Sequence, residues 1–231
     1  MAGGGKNLYL LTYNLLSFVG WLGILVRVVE PAFTIGFTYA YRATRDRVEL
    51  MQLAALLEIA HAALGVTRGN VASAAMQNFG RNVVLFFVLR ALPDEYAAAA
   101  KDTAWVGVLF AVWAASEVCR FPYYAGAIMA GGSDKVPAWL AWLRYSAFVP
   151  LYPLGFAAEV MVLYEALPAI AAADLHGGLF HLVPGLGALV GFRGLLLCYM
   201  AYAYGVGAPK LYLYMLKQRR KQLAGAKKKG E

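Results

Sequence analysis

Apolar runs alternate along this chain with short polar breaks, and several approach the about 20 residues that a helix needs to cross a bilayer core. Residues 8–29 form the first run, with Tyr13, Asn14, Gly20 and Trp21 inside it and Arg27 and Glu30 at its exit. Pro31 is predicted to end that helix. Residues 33–47, aromatic and carrying Arg42, Arg45 and Arg47, read as an interfacial connector. Further runs follow at 48–65 and 71–92, joined by a tight break at Thr67, Arg68, Gly69 and Asn70. A polar connector from Pro93 to Asp102 leads into a fourth run near Thr103, which carries Glu117 and Arg120 toward its end. After the turn-rich break from Gly131 to Lys135, a fifth run begins near Trp139 and continues to Pro168. A sixth covers 179–206, closed by Pro209. There is no internal repeat. The pattern predicts an all-α polytopic membrane protein, a six-transmembrane-helix bundle forming one domain over residues 1–231.

Composition reinforces that prediction. The chain is 61% hydrophobic and 15% charged, where a soluble domain carries about 25% charged residues. The net charge of +8 is uneven. Residues 210–231 hold Lys210, Lys217, Arg219, Arg220, Lys221, Lys227, Lys228 and Lys229 against Glu231, so they read as a basic cytosolic tail. An even number of spans then puts both termini in the cytosol. The loop before the sixth run, with Asp174 and His176 but no Lys or Arg, fits the lumenal side. Arg42, Arg45 and Arg47 would then also be lumenal, against the charge rule. No recognition module accompanies the basic tail, so nucleic acid is not an expected partner; the lipid bilayer is. Cys119 and Cys198 lie in apolar runs and form no CxxC pair.

The fifth run is the chemically odd one, because Tyr152 and Glu159 lie inside it. A carboxylate within an apolar span costs about 2.5–3.5 kcal/mol on insertion scales and marks a functional candidate. Tyr152 and Glu159 are seven residues apart, which on a helix is a rise of about 10 Å at nearly the same angle. Pro153 and Gly155 are placed to bend that helix. In an alternating bundle, polar residues of the other runs collect in the same half of the membrane. Glu58 and His61 lie near the end of run two, and Gln77 and Arg81 near the start of run three. Glu117 and Arg120 come near the end of run four, and Arg144 and Tyr145 near the start of run five. Spacings of three or four put each of the first three pairs on one helix face, predicted to point inward. Plainer readings exist. Tyr152 also fits an interfacial belt position, Glu159 a structural partner of Arg193, and Glu58 with Arg81 or Glu117 with Arg120 simple ion pairs.

Much chemistry is excluded. Three histidines, His61, His176 and His181, are too few for a di-iron desaturase, and no HExxH spacing is present. There is no GxSxG elbow, no phosphate loop and no dinucleotide fingerprint. A metal-free, cofactor-free acid–base reaction on a lipid fits what remains. A non-catalytic scaffold or small-solute carrier would use the same polar cavity, but a carrier needs an aqueous path to both faces and the lumenal half reads as sealed.

The chain also resembles the very-long-chain (3R)-3-hydroxyacyl-CoA dehydratases, the protein tyrosine phosphatase-like membrane proteins, over nearly its whole length. The resemblance begins with Tyr13-Asn14 and Gly20-Trp21 and runs through Leu57-Glu58, His61, Gln77 and Arg81. Trp113, Glu117, Arg120 and Tyr123 continue it. Its most specific part is Arg144-Tyr145, Leu151-Tyr152-Pro153, Gly155, Glu159 and Ala166-Leu167-Pro168. Tyr212, Met215-Leu216 and Gln218 to Lys221 extend it into the tail. Cys119 is followed directly by Arg120 with no CxxxxxR loop, so phosphatase chemistry has no support.

The resemblance implies Tyr152 and Glu159 as the catalytic pair, with Arg81, Gln77, Glu58, Glu117, Arg120, Arg144, Tyr145 and Gly155 binding substrate or supporting them. It implies water elimination from a 3-hydroxyacyl-CoA to a trans-2-enoyl-CoA, with other fatty-acid elongation enzymes (a condensing enzyme and reductases) as partners. Tyr152 is expected to work at C2 and Glu159 at the leaving hydroxyl, the reverse remaining open. A phenolate at Tyr152 would need a cation, from Arg81, Arg120 or Arg144, any of which could instead hold the thioester oxygen. The CoA phosphates are expected near Arg68, Lys135 and Arg144. Lys228-Lys229-Gly230-Glu231 matches a dilysine retrieval signal, which fits the endoplasmic reticulum membrane.

Overall fold

A computed structural model describes residues 2–67, 69–177 and 191–227. All the regular structure in it is helical. Helix α1 (Ala2–Ala32) runs one residue past Pro31, and a tight turn follows in which Ile35 N–H donates to the Pro31 carbonyl at 2.8 Å. Gly36, at a φ of 85°, lets the chain reverse there. Helix α2 (Ala40–Ala63) starts eight residues earlier than the expected second run. Arg42, Arg45 and Arg47 are therefore on a helix and not in a connector. Two of them are paired locally: Arg42 bonds both Asp102 oxygens, and Arg45 lies 3.3 Å from Asp46.

Helix α3 (Val71–Asn82) is capped by Asn70, whose side chain accepts from Ser73 N–H at 3.1 Å. It continues as a π-helical stretch through Val83–Arg90, matching the expected run of 71–92. The connector holds a one-turn helix α4 (Ala97–Ala100) and is pinned by buried Lys101, which donates to the Leu92 carbonyl at 2.7 Å and to Asp94 at 3.1 Å. Helices α5 (Ala104–Met129), α6 (Ala138–Ser146) and α7 (Phe148–Ala172) follow. Helix α8 (Phe192–Tyr202) passes through a π turn (Ala203–Gly207) into α9 (Ala208–Lys227). The basic tail is thus helical up to Lys227. The sixth run begins among residues 178–190, and the dilysine motif is at 228–231; both stretches, like Arg68, lie outside the described residues.

Among the described residues three helical stretches are long and apolar enough to cross a membrane: Gly4–Ala32, Ala104–Met129 and Ala138–Ala172. The middle one is the axis of the bundle, with half of its apolar window buried against 22% for the other two. Helices α1 and α7 pack on it directly. Close approach is written into the glycines: a Cβ on Gly155 would sit 3.2 Å from Val112 Cγ1, across the α7–α5 contact. The apolar core occupies one end of the bundle. Trp21 and Ile24 meet Leu85, Leu109, Phe110 and Leu163 there, all essentially fully buried. Polar side chains fill the other end.

Candidate active site

Glu159 is buried on α7, one helix turn beyond Gly155. Both its oxygens accept hydrogen bonds. Trp113 Nε1 on α5 donates to Oε1 at 3.0 Å, and the Tyr204 hydroxyl donates to Oε2 at 3.0 Å. Those two donors offset the cost of burying a carboxyl group in an apolar span. The alternative partner, Arg193, is exposed on α8.

Two turns earlier, Tyr152 is held by aromatic contacts. Its ring stacks at 13° on Tyr212 with centroids 6.0 Å apart, and Phe156 meets it edge-on at 4.1 Å. Its hydroxyl is buried and makes no hydrogen bond among the described residues. Buried hydroxyls are nearly always paired, so this one is an open position for a partner.

The charged residues form a connected array beside this pair. Glu117, the most buried of them, takes Arg81 Nη1 on one oxygen and Arg120 Nε on the other, each at 2.7 Å. Arg120 also grips both oxygens of Glu58, the closer contacts being 2.5 and 2.8 Å. Two acids and two guanidinium groups balance in charge, the arrangement in which buried ions are tolerated. Arg81 further lies 5.3 Å over the Trp113 ring and bonds Ser116. The array therefore leads, through Trp113, to Glu159.

A second cluster surrounds Arg144 on α6. Its Nη2 donates to the Tyr124 hydroxyl at 3.1 Å, and its guanidinium lies 5.6 Å over the rings of both Tyr124 and Tyr145. Tyr145 and Tyr123 hydroxyls are 3.5 Å apart. Arg144 Nε is buried without a partner among the described residues. Arg120, 5.9 Å from the Tyr124 ring, connects this cluster to the ion array.

Of the residues singled out in the sequence, Glu58, Arg81, Glu117 and Arg120 are brought into one array. Arg144 and Tyr145 share the second cluster. Tyr152, Gly155 and Glu159 line α7. Gln77 is exposed on α3 and does not join them; its neighbour Asn78 points inward instead, accepting from Gln52 at 3.2 Å. His61 bonds Tyr9 on α1 at 2.7 Å and packs edge-on against Tyr13. Tyr204 is the contact that sequence reading passed over. It sits among Tyr199, Tyr202 and glycines in an aromatic run where spacing alone singles out no member.

The arrangement offers a doubly hydrogen-bonded carboxyl group, a buried hydroxyl with no partner among the described residues, and guanidinium groups at one end of an apolar bundle. Two surface concavities of about 410 and 300 Å³ border Lys101 and the Arg42 turn, and neither touches Tyr152 or Glu159. Comparison with known proteins bears directly on this arrangement. The very-long-chain (3R)-3-hydroxyacyl-CoA dehydratase hpo-8 of Caenorhabditis elegans is 31% identical over 222 residues, covering 96% of this chain and 97% of that protein. The very-long-chain (3R)-3-hydroxyacyl-CoA dehydratase of Gallus gallus is 34% identical over 97% of this chain and 59% of its own length. The dehydratase PASTICCINO 2A of Oryza sativa subsp. japonica is 31% identical over 98% and 99%. No solved structure matches. The family described as protein tyrosine phosphatase-like protein, PTPLA, matches residues 52–225, a stretch that takes in the ion array, the Arg144 cluster, Tyr152, Glu159 and Tyr204, and the chain belongs to that family.

Proposed function

We propose that this protein is a membrane-embedded lyase that dehydrates (3R)-3-hydroxyacyl-CoA to trans-2-enoyl-CoA, the third step of very-long-chain fatty acid elongation. The strongest support is the pairing on one face of α7 of a doubly hydrogen-bonded carboxyl group with an unpaired buried phenol. Relatives that share nearly the whole chain carry that activity in their names.

The contacts favour the reverse of the expected division of labour. Trp113 Nε1–H can only donate, so Oε1 of Glu159 is an acceptor, and Tyr204 gives the other oxygen a second donor. That is a setting for a carboxylate base. Tyr152 has no cation bonded to its hydroxyl, because Arg81 and Arg120 are spent on Glu117 and Glu58 and Arg144 on Tyr124. A phenol, with an ordinary pKa of about 10, stays protonated without one and serves as the acid. Glu159 takes the C2 proton, the C2–H electrons shift onto the thioester oxygen as an enolate, and their return forms the C2=C3 double bond as the C3 hydroxyl leaves as water with the proton of Tyr152. Return of the proton from Glu159 to the tyrosinate closes the cycle. Arg144, whose Nε–H has no partner among the described residues, is the proposed partner for the thioester oxygen or the CoA head group, with Lys135 proposed to add charge for the CoA phosphates.

We also propose the six-span topology with both termini cytosolic, in the endoplasmic reticulum membrane, beside the condensing enzyme and reductases of elongation. The local pairing of Arg42 and Arg45 eases the one conflict in charge distribution. Purified protein in detergent, given a long-chain 3-hydroxyacyl-CoA, should yield the enoyl-CoA, and Glu159→Gln and Tyr152→Phe should not. Full activity in either variant sinks the assignment.

A further inference from the structure

We propose that the helix formed by α8, its π turn and α9 is a positioning element for the proposed catalytic pair, with Tyr204 orienting Glu159 and Tyr212 orienting Tyr152. This rests on the dehydratase reading and adds two residues to it. The contacts are direct. Tyr204 donates to Glu159 Oε2 at 3.0 Å, and Tyr212 stacks on the Tyr152 ring at 13°. Tyr212 is itself fixed, because its hydroxyl donates to the Val149 carbonyl at 3.2 Å and its ring meets Phe148 edge-on. Phe156 fills the space between, 4.1 Å from Tyr152 and 5.9 Å from Tyr204. Farther along α9, Arg219 Nε donates to buried Ser146 Oγ at 3.1 Å and fastens the helix to the end of α6.

The register makes the pairing specific. On α7 the order is Tyr152 then Glu159; on the facing helix it is Tyr204 then Tyr212, so the two run antiparallel. Tyr152 and Glu159 are seven positions apart, whereas Tyr204 and Tyr212 are eight. The extra position is taken up in the π turn Ala203–Gly207, where Ala208 N–H reaches back five residues to the Ala203 carbonyl. A π turn accommodates one more residue than an α turn. Pro209 favours it there, since it has no N–H to give the Gly205 carbonyl. A plain α-helix through this stretch would turn one of the two tyrosines away from α7. Sequence and backbone are matched to bring both to the pair.

Purified Tyr204→Phe, Tyr212→Phe and Tyr212→Leu, with wild type alongside, test the proposal on a long-chain 3-hydroxyacyl-CoA. Tyr204→Phe keeps the ring and loses one hydrogen bond to a charged group, so kcat should fall about 10- to 100-fold with KM unchanged. Tyr212→Phe keeps the stack and loses only the bond to the Val149 carbonyl, so kcat should fall by less than about 3-fold, whereas Tyr212→Leu should lose roughly 3- to 10-fold. Thermal unfolding in detergent separates these losses from misfolding. Wild-type kcat in Tyr204→Phe, a change confined to KM, or equal kcat in the two Tyr212 variants overturns the positioning role. A wild-type protein that makes no enoyl-CoA instead overturns the dehydratase reading beneath it.

Discussion

At one end of the bundle α1, the π-helical stretch after α3, α5 and α7 meet through Ile24, Leu85, Leu109 and Leu163, each wholly buried. At the other end the contacts are Arg81 with Glu117, Arg120 with Glu58, His61 with Tyr9 and Glu159 with Trp113 and Tyr204. Helices α1, α5 and α7 serve both ends, and the polar end adds α2 through Glu58 and His61 and the π turn through Tyr204. Apolar packing is non-directional, and one aliphatic residue can replace another of like volume at modest cost. Hydrogen-bonded charges are directional, and removing one partner leaves the other buried and uncompensated. The first kind of contact can hold helices together. Only the second can place a proton acceptor within reach of a reacting carbon.

The sharpest way to break that contrast is at Glu159 and Tyr152. If the polar end exists for chemistry, Glu159→Gln should cost about 10²- to 10⁴-fold in dehydration while the protein still unfolds at nearly the wild-type temperature. Isotope exchange separates the two members. With Glu159 as the base, Tyr152→Phe should still exchange the C2 hydrogen of the substrate with deuterated solvent, and Glu159→Gln should not. Exchange in Glu159→Gln but not in Tyr152→Phe would restore the opposite assignment. Mass spectrometry of recovered substrate reads this directly.

Much of this contrast is legible in the sequence, and the reasons for the exceptions are physical. Alternating apolar runs expose the helices, and the placement of Glu58, Arg81, Glu117 and Arg120 near run ends exposes the polar half. The Glu117–Arg120 pair, three residues apart, is legible and is present at 2.7 Å. The pairing between helices is not: Glu58 meets Arg120 in place of the expected Arg81, which takes Glu117, because partner choice depends on helix rotation and separation. Gln77 and Asn78 differ by one position, about 100° of rotation on a helix, and a short polar run does not say which of the two faces inward. The start of α2 is obscured by Arg42, Arg45 and Arg47, which read as connector until Asp102 and Asp46 are seen beside them. Tyr204 is concealed by its aromatic neighbours, and only the π turn distinguishes it.

Within the polar end, the ion array is expected to be the costliest place to make a single change to stability. Glu117→Gln leaves Arg81 and Arg120 each short of a charged partner, with an expected loss of about 3–5 kcal/mol. The array also feeds Glu159 through Trp113, so activity should fall as well. In the apolar end, Leu109→Ala should cost about 2 kcal/mol, the low side for a core truncation. Packing is lost there, but transfer from water contributes little for a helix already in lipid. Activity should hold. Unfolding in mixed detergent micelles with parallel turnover measurements tests both, and the contrast fails if Leu109→Ala reduces kcat as Glu117→Gln does.

The smallest effect belongs to the connector beyond the apolar end, where Asp94 meets buried Lys101 at 3.1 Å. The hydrogen bond and positive charge of Lys101 hold the Asp94 carboxyl below the usual carboxylate range. A carboxyl group depressed in the folded state contributes stability above its unfolded pKa of about 3.9 and loses it as pH falls through the folded value. The pair is exposed on the Asp94 side and screened there, so its worth at neutral pH is small. Lys101 also keeps its bond to the Leu92 carbonyl when Asp94 is removed. Asp94→Asn should therefore lower the melting temperature slightly at pH 7, and the difference from wild type should close below about pH 4. Turnover should not change at either pH, because nothing in this connector reaches Tyr152 or Glu159. A pH-independent difference would mean that Asp94 acts through packing and not through charge, and this end of the molecule would then be apolar in its energetics throughout.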